Sequence, residues 1–169
     1  GVLFFTATQD YDGGIGTVFP IAPKGTRELP NDTTVRDGPP EQLGKGGSFL
    51  GQHLWTSRPG VVVQVNAFNF PVWGMLEKLA PTFLAGMPTI VKPAPQTAYV
   101  AELAVRRIIE AGILPEGTLQ LLAGGPEGLL DQLDVHDVVA FTGSARTGDL
   151  LRQHPRVLHH GVRLQVEAD

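Results

Sequence analysis

The stretch 66–93, NAFNFPVWGMLEKLAPTFLAGMPTIVKP, decides the fold. Residues 61–65 just before it, VVVQV, are β-branched and nearly all apolar, as a strand buried on both faces requires. Residues 72–85 carry helical spacing, with Pro81 inside and expected to bend the helix. Gly86 and Pro88 stop that helix, and residues 89–91 form a short strand. Strand, helix and strand make a βαβ unit, and ligands of such units gather at the carboxyl ends of the strands. Asn69 and Lys92 both stand at such an end, so the stretch predicts a site as well as a fold.

The pattern continues outward from there. Residues 96–111 read as the best helix of the chain, because Val100, Leu103, Ala104, Ile108 and Ala111 recur at helical spacing and Gly112 follows as a stop. Residues 118–122 read as a strand, and Pro126 opens a helix through Leu133, proline being favoured in a first turn. Residues 138–141 form a strand, 144–153 a helix and 162–166 a last strand. Strands alternating with helices across short links predict an α/β fold with an open parallel sheet. The texture changes near residue 58. Residues 1–57 are a loop-rich N-terminal part, with PNDTTVRDGPPEQLGKGG at 30–47 and mixed signals at 14–24, where Pro20 and Pro23 interrupt any helix. Residues 58–169 form the regular βαβ domain. No internal repeat is present.

Composition narrows the function. A chain of 169 residues with 42% hydrophobic residues suits one domain with a real core, or a domain and a piece of another. Its 13 basic residues are outnumbered by 17 acidic ones, which argues against a nucleic-acid partner. No run of about 18 apolar residues predicts a membrane span. The opening residues lack the charged region and cleavage pattern of a leader. The absence of cysteine rules out disulfides, fits a cytoplasmic protein and excludes a cysteine nucleophile within these residues. The five histidines lack metal-ligand spacing, so no metal is expected. Asp131, Asp134 and Asp137 recur every three residues and read as a solvated face.

Four further features bear on chemistry. TGSARTG at 142–148 follows a strand and opens a helix, where Gly143 and Ser144 suit a phosphate; a serine cap with glycines for close packing is the competing reading. Lys92 suits a ribose hydroxyl or a phosphate, or is a surface lysine. Asn69, between Phe68 and Phe70, is a polar group in apolar company and suits an oxyanion donor, or is a turn residue. Glu167 suits a general base at a strand end, or is an exposed acid near a terminus.

Together the blocks AFNFP (67–71), Lys78, IVKPA (90–94), FTGS (141–144) with Gly148, and Glu167 resemble the aldehyde dehydrogenase superfamily in order and spacing. The resemblance covers residues 58–169 well and 1–57 loosely. It is closest to the branch acting on CoA-thioester semialdehydes in aerobic phenylacetate and benzoate degradation, where the dehydrogenase is fused in some members to an enoyl-hydratase-like domain. GSFLGQH at 47–53 and the VEAD ending carry that closer likeness. The resemblance implies a Rossmann-like cofactor-binding domain, a small-molecule aldehyde substrate on a CoA thioester, and a homo-oligomer in the full-length protein. It implies that Asn69 donates to the oxyanion of a thiohemiacetal and that Glu167 activates water for thioester hydrolysis, with Lys78 near the active site. It further implies that Lys92, Ala94 and Pro95 meet the adenosine ribose, Gly143 and Ser144 the pyrophosphate, Phe68 the cofactor wall, and Gly125 the cofactor.

Two departures from the family pattern matter. The glutamate that binds both ribose hydroxyls in NAD-preferring members is Pro95 here, which favours NADP over NAD by removing repulsion toward a 2′-phosphate. The family's nucleophilic cysteine lies beyond the glutamate, and this sequence has none. The resemblance therefore implies a fragment, with the alternative of a non-catalytic nucleotide-binding module or a truncated pseudoenzyme. Transfer of the acyl group to CoA is a further alternative, against which Glu167 argues.

Overall fold

The computed structural model describes residues 41–42, 45–47, 50–51, 57–125 and 128–169. The expectations for residues 14–24, for Pro126 and for most of 30–53 fall outside them. Two short strands, β1 (Glu41–Gln42) and β2 (Leu50–Gly51), pair antiparallel.

The remaining elements alternate as their periodicity predicts. In chain order they are β3 (Val62–Val65), α1 (Trp73–Leu84), β4 (Thr89–Lys92), α2 (Ala98–Glu110), β5 (Leu119–Leu121), β6 (Val138–Gly143), α3 (Ala145–Arg152), α4 (Pro155–His159) and β7 (Arg163–Ala168). The five longer-range strands form one parallel sheet in the order β5-β4-β3-β6-β7. The chain winds outward from β3 to β5, then returns to the other side of β3 for β6 and β7. That reversal makes the Rossmann-like doubly wound pattern, with its switch point between β3 and β6.

Each face of the sheet has its own core. On one face α1 and α2 present Met75, Leu79, Ala101 and Val105 to Val91, Leu119 and Leu121. The pairs Met75/Leu79 and Ala101/Val105 are spaced i, i+4 and so share a helix face. On the other face Val63, Ile90, Val139 and Val162 pack with Leu129 and Leu133, and Val157 of α4 joins them. Each fully buried Leu or Val side chain contributes about 1.5–3 kcal/mol relative to exposure.

Three readings of the sequence need correction. The helix expected over 126–133 is a single 3-10 turn, Leu130–Gln132, preceded by a turn at 128–129. A long helix is unnecessary there, because Leu129 and Leu133 reach the core from either side of that turn. Residues 155–159, given no element from sequence, form α4, capped by His154 Nδ1, which accepts from Arg156 N at 3.3 Å. His154 is thus half-buried and shapes the start of this helix.

The third correction is Asp137, which is 7% exposed and not part of a solvated face. Its Oδ1 accepts from Val61 N at 2.8 Å and its Oδ2 from Asp134 N at 2.7 Å. The carboxylate thereby joins the start of β3 to the start of β6. An Asp137→Ala variant leaves both N–H groups without this acceptor, at a cost of about 1–3 kcal/mol for each that stays dry. Urea unfolding is expected to show a lower midpoint for this variant, and a smaller drop for Asp137→Asn, which keeps one oxygen. An unchanged midpoint for Asp137→Ala would remove the carboxylate from the account of the fold.

Candidate active site at the carboxyl edge of the sheet

Nine of the ten residues singled out from the sequence lie at the carboxyl ends of strands. Phe68 and Asn69 follow β3; Lys92 ends β4, with Ala94 and Pro95 just beyond; Gly125 follows β5. Gly143 ends β6, Ser144 caps α3, and Glu167 lies in the last turn of the pleat of β7. Lys78, the tenth, sits in the middle of α1. A parallel sheet brings these distant positions to one edge because all its strands point the same way.

The sheet faces divide them further. Thr142 is in register with Glu167, while Phe141 pairs with Val166. A Cβ added at Gly148 of α3 would stand 2.9 Å from Val166 Cγ1 and 3.6 Å from the Phe141 ring, so Phe141 and Val166 face α3. Side chains alternate along a strand, so Thr142 and Glu167 face the side of α1. There Thr142 Oγ1 donates to Glu167 Oε2 at 3.1 Å. Lys78 Nζ stands 3.9 Å from the same oxygen and also donates to Gly74 O at 3.3 Å and Glu77 Oε1 at 3.1 Å. Lys78 is 12% exposed at its side chain and Glu167 54%. A pair this open to solvent is worth about 0–1 kcal/mol, so its effect is orientation and not stability. A carboxylate whose Oε2 meets both a hydroxyl and an ammonium keeps lone pairs on its other oxygen for a water molecule.

Lys92 occupies the opposite face. It pairs with Val65, which packs with the Val63 cluster on the α3 and α4 side. The lysine is 8% exposed, and its Nζ donates to Pro93 O at 3.3 Å. Beyond it, Pro95 opens a 3-10 turn, Pro95–Thr97. Residues 92–97, KPAPQT, contain one cation and no acid. Ser144 caps α3 by accepting from Thr147 N at 3.3 Å, and its hydroxyl also lies 3.1 Å from Thr147 Oγ1. Ala145 N donates to Asp169 O at 3.0 Å. A serine oxygen that accepts a cap bond retains a proton to donate, so capping and anion binding are compatible at this helix end. Gly143 has a packing reason of its own, since an added Cβ would meet the Phe141 ring at 2.7 Å.

The buried amide of this edge is not Asn69. Asn69 is exposed, as are Phe68 and Phe70 on either side. The residues 68–70 form a bend that leaves the sheet after its ladder has ended, so apolar neighbours in sequence do not bury it. Asn66, by contrast, is 4% exposed, and its N–H makes the last ladder bond, to Lys92 O at 3.1 Å. Gln64 is fully buried beside it. Sequence reasoning assigned no role to Asn66, Gln64 or Thr142. A lone glutamine inside an otherwise apolar strand was the available signal for Gln64. Thr142 could be tied to Glu167 only through strand register, which no sequence window displays.

Comparison with known proteins gives a consistent picture. Residues 52–168 match the model of the aldehyde dehydrogenase family. The chain is 45% identical over 163 residues to a 3,4-dehydroadipyl-CoA semialdehyde dehydrogenase of Aromatoleum evansii, covering 96% of this chain and 32% of that relative. It is 34% identical over 97 residues to a D-glyceraldehyde dehydrogenase (NADP(+)) of Picrophilus torridus, covering 56% of this chain and 20% of the relative. Among solved structures, the succinic semialdehyde dehydrogenase from Streptococcus pyogenes, in complex with NADP+, superposes with a TM-score of 0.60 at 24% identity, over 76% of this chain and 27% of that one. The chain thus spans about a third or less of the length of the relatives it matches.

Proposed function

The chain belongs to the aldehyde dehydrogenase family, and from that premise we propose that it supplies the dinucleotide site and part of the catalytic apparatus for NADP-dependent oxidation of an aldehyde carried on a CoA thioester. The observation that carries this reading is the paired arrangement at one sheet edge. Glu167 is held by Thr142 and Lys78 on the α1 face, while Lys92 and Ser144 stand toward the other. The 45% identity to a CoA-semialdehyde dehydrogenase over nearly the whole chain supports the substrate class. Aerobic aromatic degradation is the setting proposed for it, and a homo-oligomer the proposed state of the full-length enzyme.

In this reading Asn69 donates to the oxygen on which negative charge develops, and its exposure leaves the amide open to a substrate. Glu167 takes a proton from water for hydrolysis of the acyl intermediate, with Lys78 and Thr142 fixing the carboxylate. The nucleophile is a cysteine supplied from outside these 169 residues, none of which is cysteine. A nicotinamide dinucleotide, when bound, would supply the hydride acceptor, chemistry that belongs to the cofactor. Lys92, Ala94 and Pro95 would hold its adenosine ribose, Gly143 and Ser144 its pyrophosphate, and Phe68 and Gly125 would line its path. The residues fit such a group, since the Ser144 hydroxyl stands at the N-terminus of α3 and the 92–97 segment carries a cation.

The test is an assay of a polypeptide that joins this chain to the cysteine-bearing remainder, given a CoA-linked semialdehyde with NADP+ or NAD+. Reduced nicotinamide is expected to accumulate faster with NADP+; faster turnover with NAD+ would refute the cofactor assignment, and no turnover with either would refute the reading. A Pro95→Glu variant places a carboxylate beside the ribose. NADP+ affinity is expected to fall on the order of tenfold or more, since like charges brought together cost several kcal/mol when desolvated, while NAD+ affinity holds or rises. Titration calorimetry with the two cofactors checks it, and an unchanged ratio of affinities would exclude Pro95 as the discriminating position.

A further inference from the structure

We propose that Gln64 is a positioning residue that indexes α1 on β3 and thereby sets Lys78 against Glu167, an inference that rests on the role given above to Glu167. Gln64 lies in β3, fully buried, on the sheet face covered by α1. Its carboxamide meets α1 at two points. With the nitrogen turned to the helix carbonyl, Nε2 donates to Met75 O at 3.1 Å and Oε1 accepts from Leu79 N at 3.1 Å. The Asn66 carboxamide, also buried, stands 3.4 Å away. A carboxamide inside an apolar core costs about 1–3 kcal/mol unless it is bonded. An aliphatic side chain would fill the space beside Met75, Leu79 and Val91 without that cost. What an aliphatic residue would lack is a fixed axial position for the helix, because dispersion contacts are non-directional and hydrogen bonds are not.

The position fixed is the turn that carries Lys78. Met75 and Leu79 bracket it, and Gly74 O accepts from its Nζ at 3.3 Å. On the other side Gln64 pairs with Ala140 of β6, two residues before Thr142, which donates to Glu167. The contacts therefore form a closed circuit: α1, Gln64, β3, β6, Thr142, Glu167 and back to α1 through Lys78. Sliding α1 along the sheet would carry Lys78 away from Glu167 while leaving Lys92, on the opposite face, where it is.

The experiment compares Gln64→Met, which keeps volume but not the bonds, with Val63→Ala, which weakens the core on the opposite face. Lysine acetylation of the native chain, read by mass spectrometry, reports the environment of each ammonium. Gln64→Met is expected to raise the rate at Lys78 several-fold while the rate at Lys92 holds, and Val63→Ala to leave the rate at Lys78 alone. A rate at Lys78 that rises equally in both variants, or in neither, would overturn the proposal. Should Gln64→Met not fold, hydrogen exchange of the unaltered chain decides instead. The Leu79 amide should be among the slowest in α1, and exchange as fast as at Leu76 would overturn the clamp. In the aldehyde-oxidising polypeptide, kcat of Gln64→Met should fall about tenfold, within the range that a misplacement of about 1 Å produces, with KM for the dinucleotide unchanged. Unchanged kcat would overturn the proposal; an inactive parent polypeptide would instead overturn the proposed function, leaving the acetylation rate at Lys78 to judge Gln64.

Discussion

Replacing Asn69 with alanine is expected to lower kcat for aldehyde oxidation by about 10²–10³-fold, the usual loss when one oxyanion donor is removed. The expectation follows from where the residue sits. The bend 68–70 carries Asn69 off the carboxyl end of β3, at the switch point of the sheet. Its amide is exposed and packs into no core, so the substitution leaves no cavity and no unpaired partner behind. Loss of activity should therefore come without loss of stability. Dinucleotide affinity should also hold, because the residues proposed for ribose and pyrophosphate, Lys92 and Ser144, belong to other strand ends. Asn69→Asp sharpens the test: it preserves shape, replaces a donor with an acceptor, and should lose at least as much rate. Steady-state kinetics beside thermal melting separates the terms. A variant as active as the parent, or one whose lost rate tracks lost melting temperature, would deny Asn69 the donor role.

The second large effect concerns the opposite end of the same strand. Gly60→Ala is expected to destabilise the fold by at least about 4 kcal/mol, in the range that marks a named structural mechanism and not a surface substitution. Two causes act together. Gly60 has φ of +99°, a conformation that costs a residue with a Cβ about 1–3 kcal/mol. The added Cβ would also lie 2.3 Å from His136 O and 2.9 Å from Asp137 Oδ1. The first of these is backbone and has little room to retreat. Moving it would disturb the Asp137 bonds that join β3 to β6. Against a total of about 5–15 kcal/mol for a typical domain, the change removes a large share of the stability. Urea unfolding measures it, and a midpoint within error of the parent would show that the corner between residues 60 and 137 relaxes freely.

The legible and illegible parts of this chain differ by the range of the interactions involved. Residues 61–65, 89–91 and 96–111 announced their elements because burial on two faces or on one helix stripe writes a local period. The parallel sheet followed from alternation alone. Edge positions such as Lys92, Ser144 and Glu167 were legible for the same reason: a strand end is a local event, and parallel strands share an edge. Asp137 was misread because a spacing of three suggests a solvated helix face, whereas its partners Val61 and Asp134 lie on two sides of a corner. Asn69, with two phenylalanine neighbours, read equally as a donor in apolar company or as a turn residue; the chain turns outward there and buries Asn66 instead. The pairing of Thr142 with Glu167 and the reach of Gln64 into α1 depend on register and on the third dimension. The helix expected at 126–133 failed because Leu129 and Leu133 suit a helix and a tight turn equally well.

One measurement bears most directly on the claim that the carboxyl edge of this sheet is a dinucleotide-phosphate site. Titrating the isotopically labelled 169-residue chain with NADP+ and NAD+, following backbone amides by NMR, reports both affinity and place. Saturable binding is expected, tighter for NADP+, with the largest changes at Lys92, Ala94, Gly143 and Ser144 and none at Gly60 or Asp137. Binding that fails to saturate with either cofactor, or changes confined to the amino end of the strands, would contradict that claim.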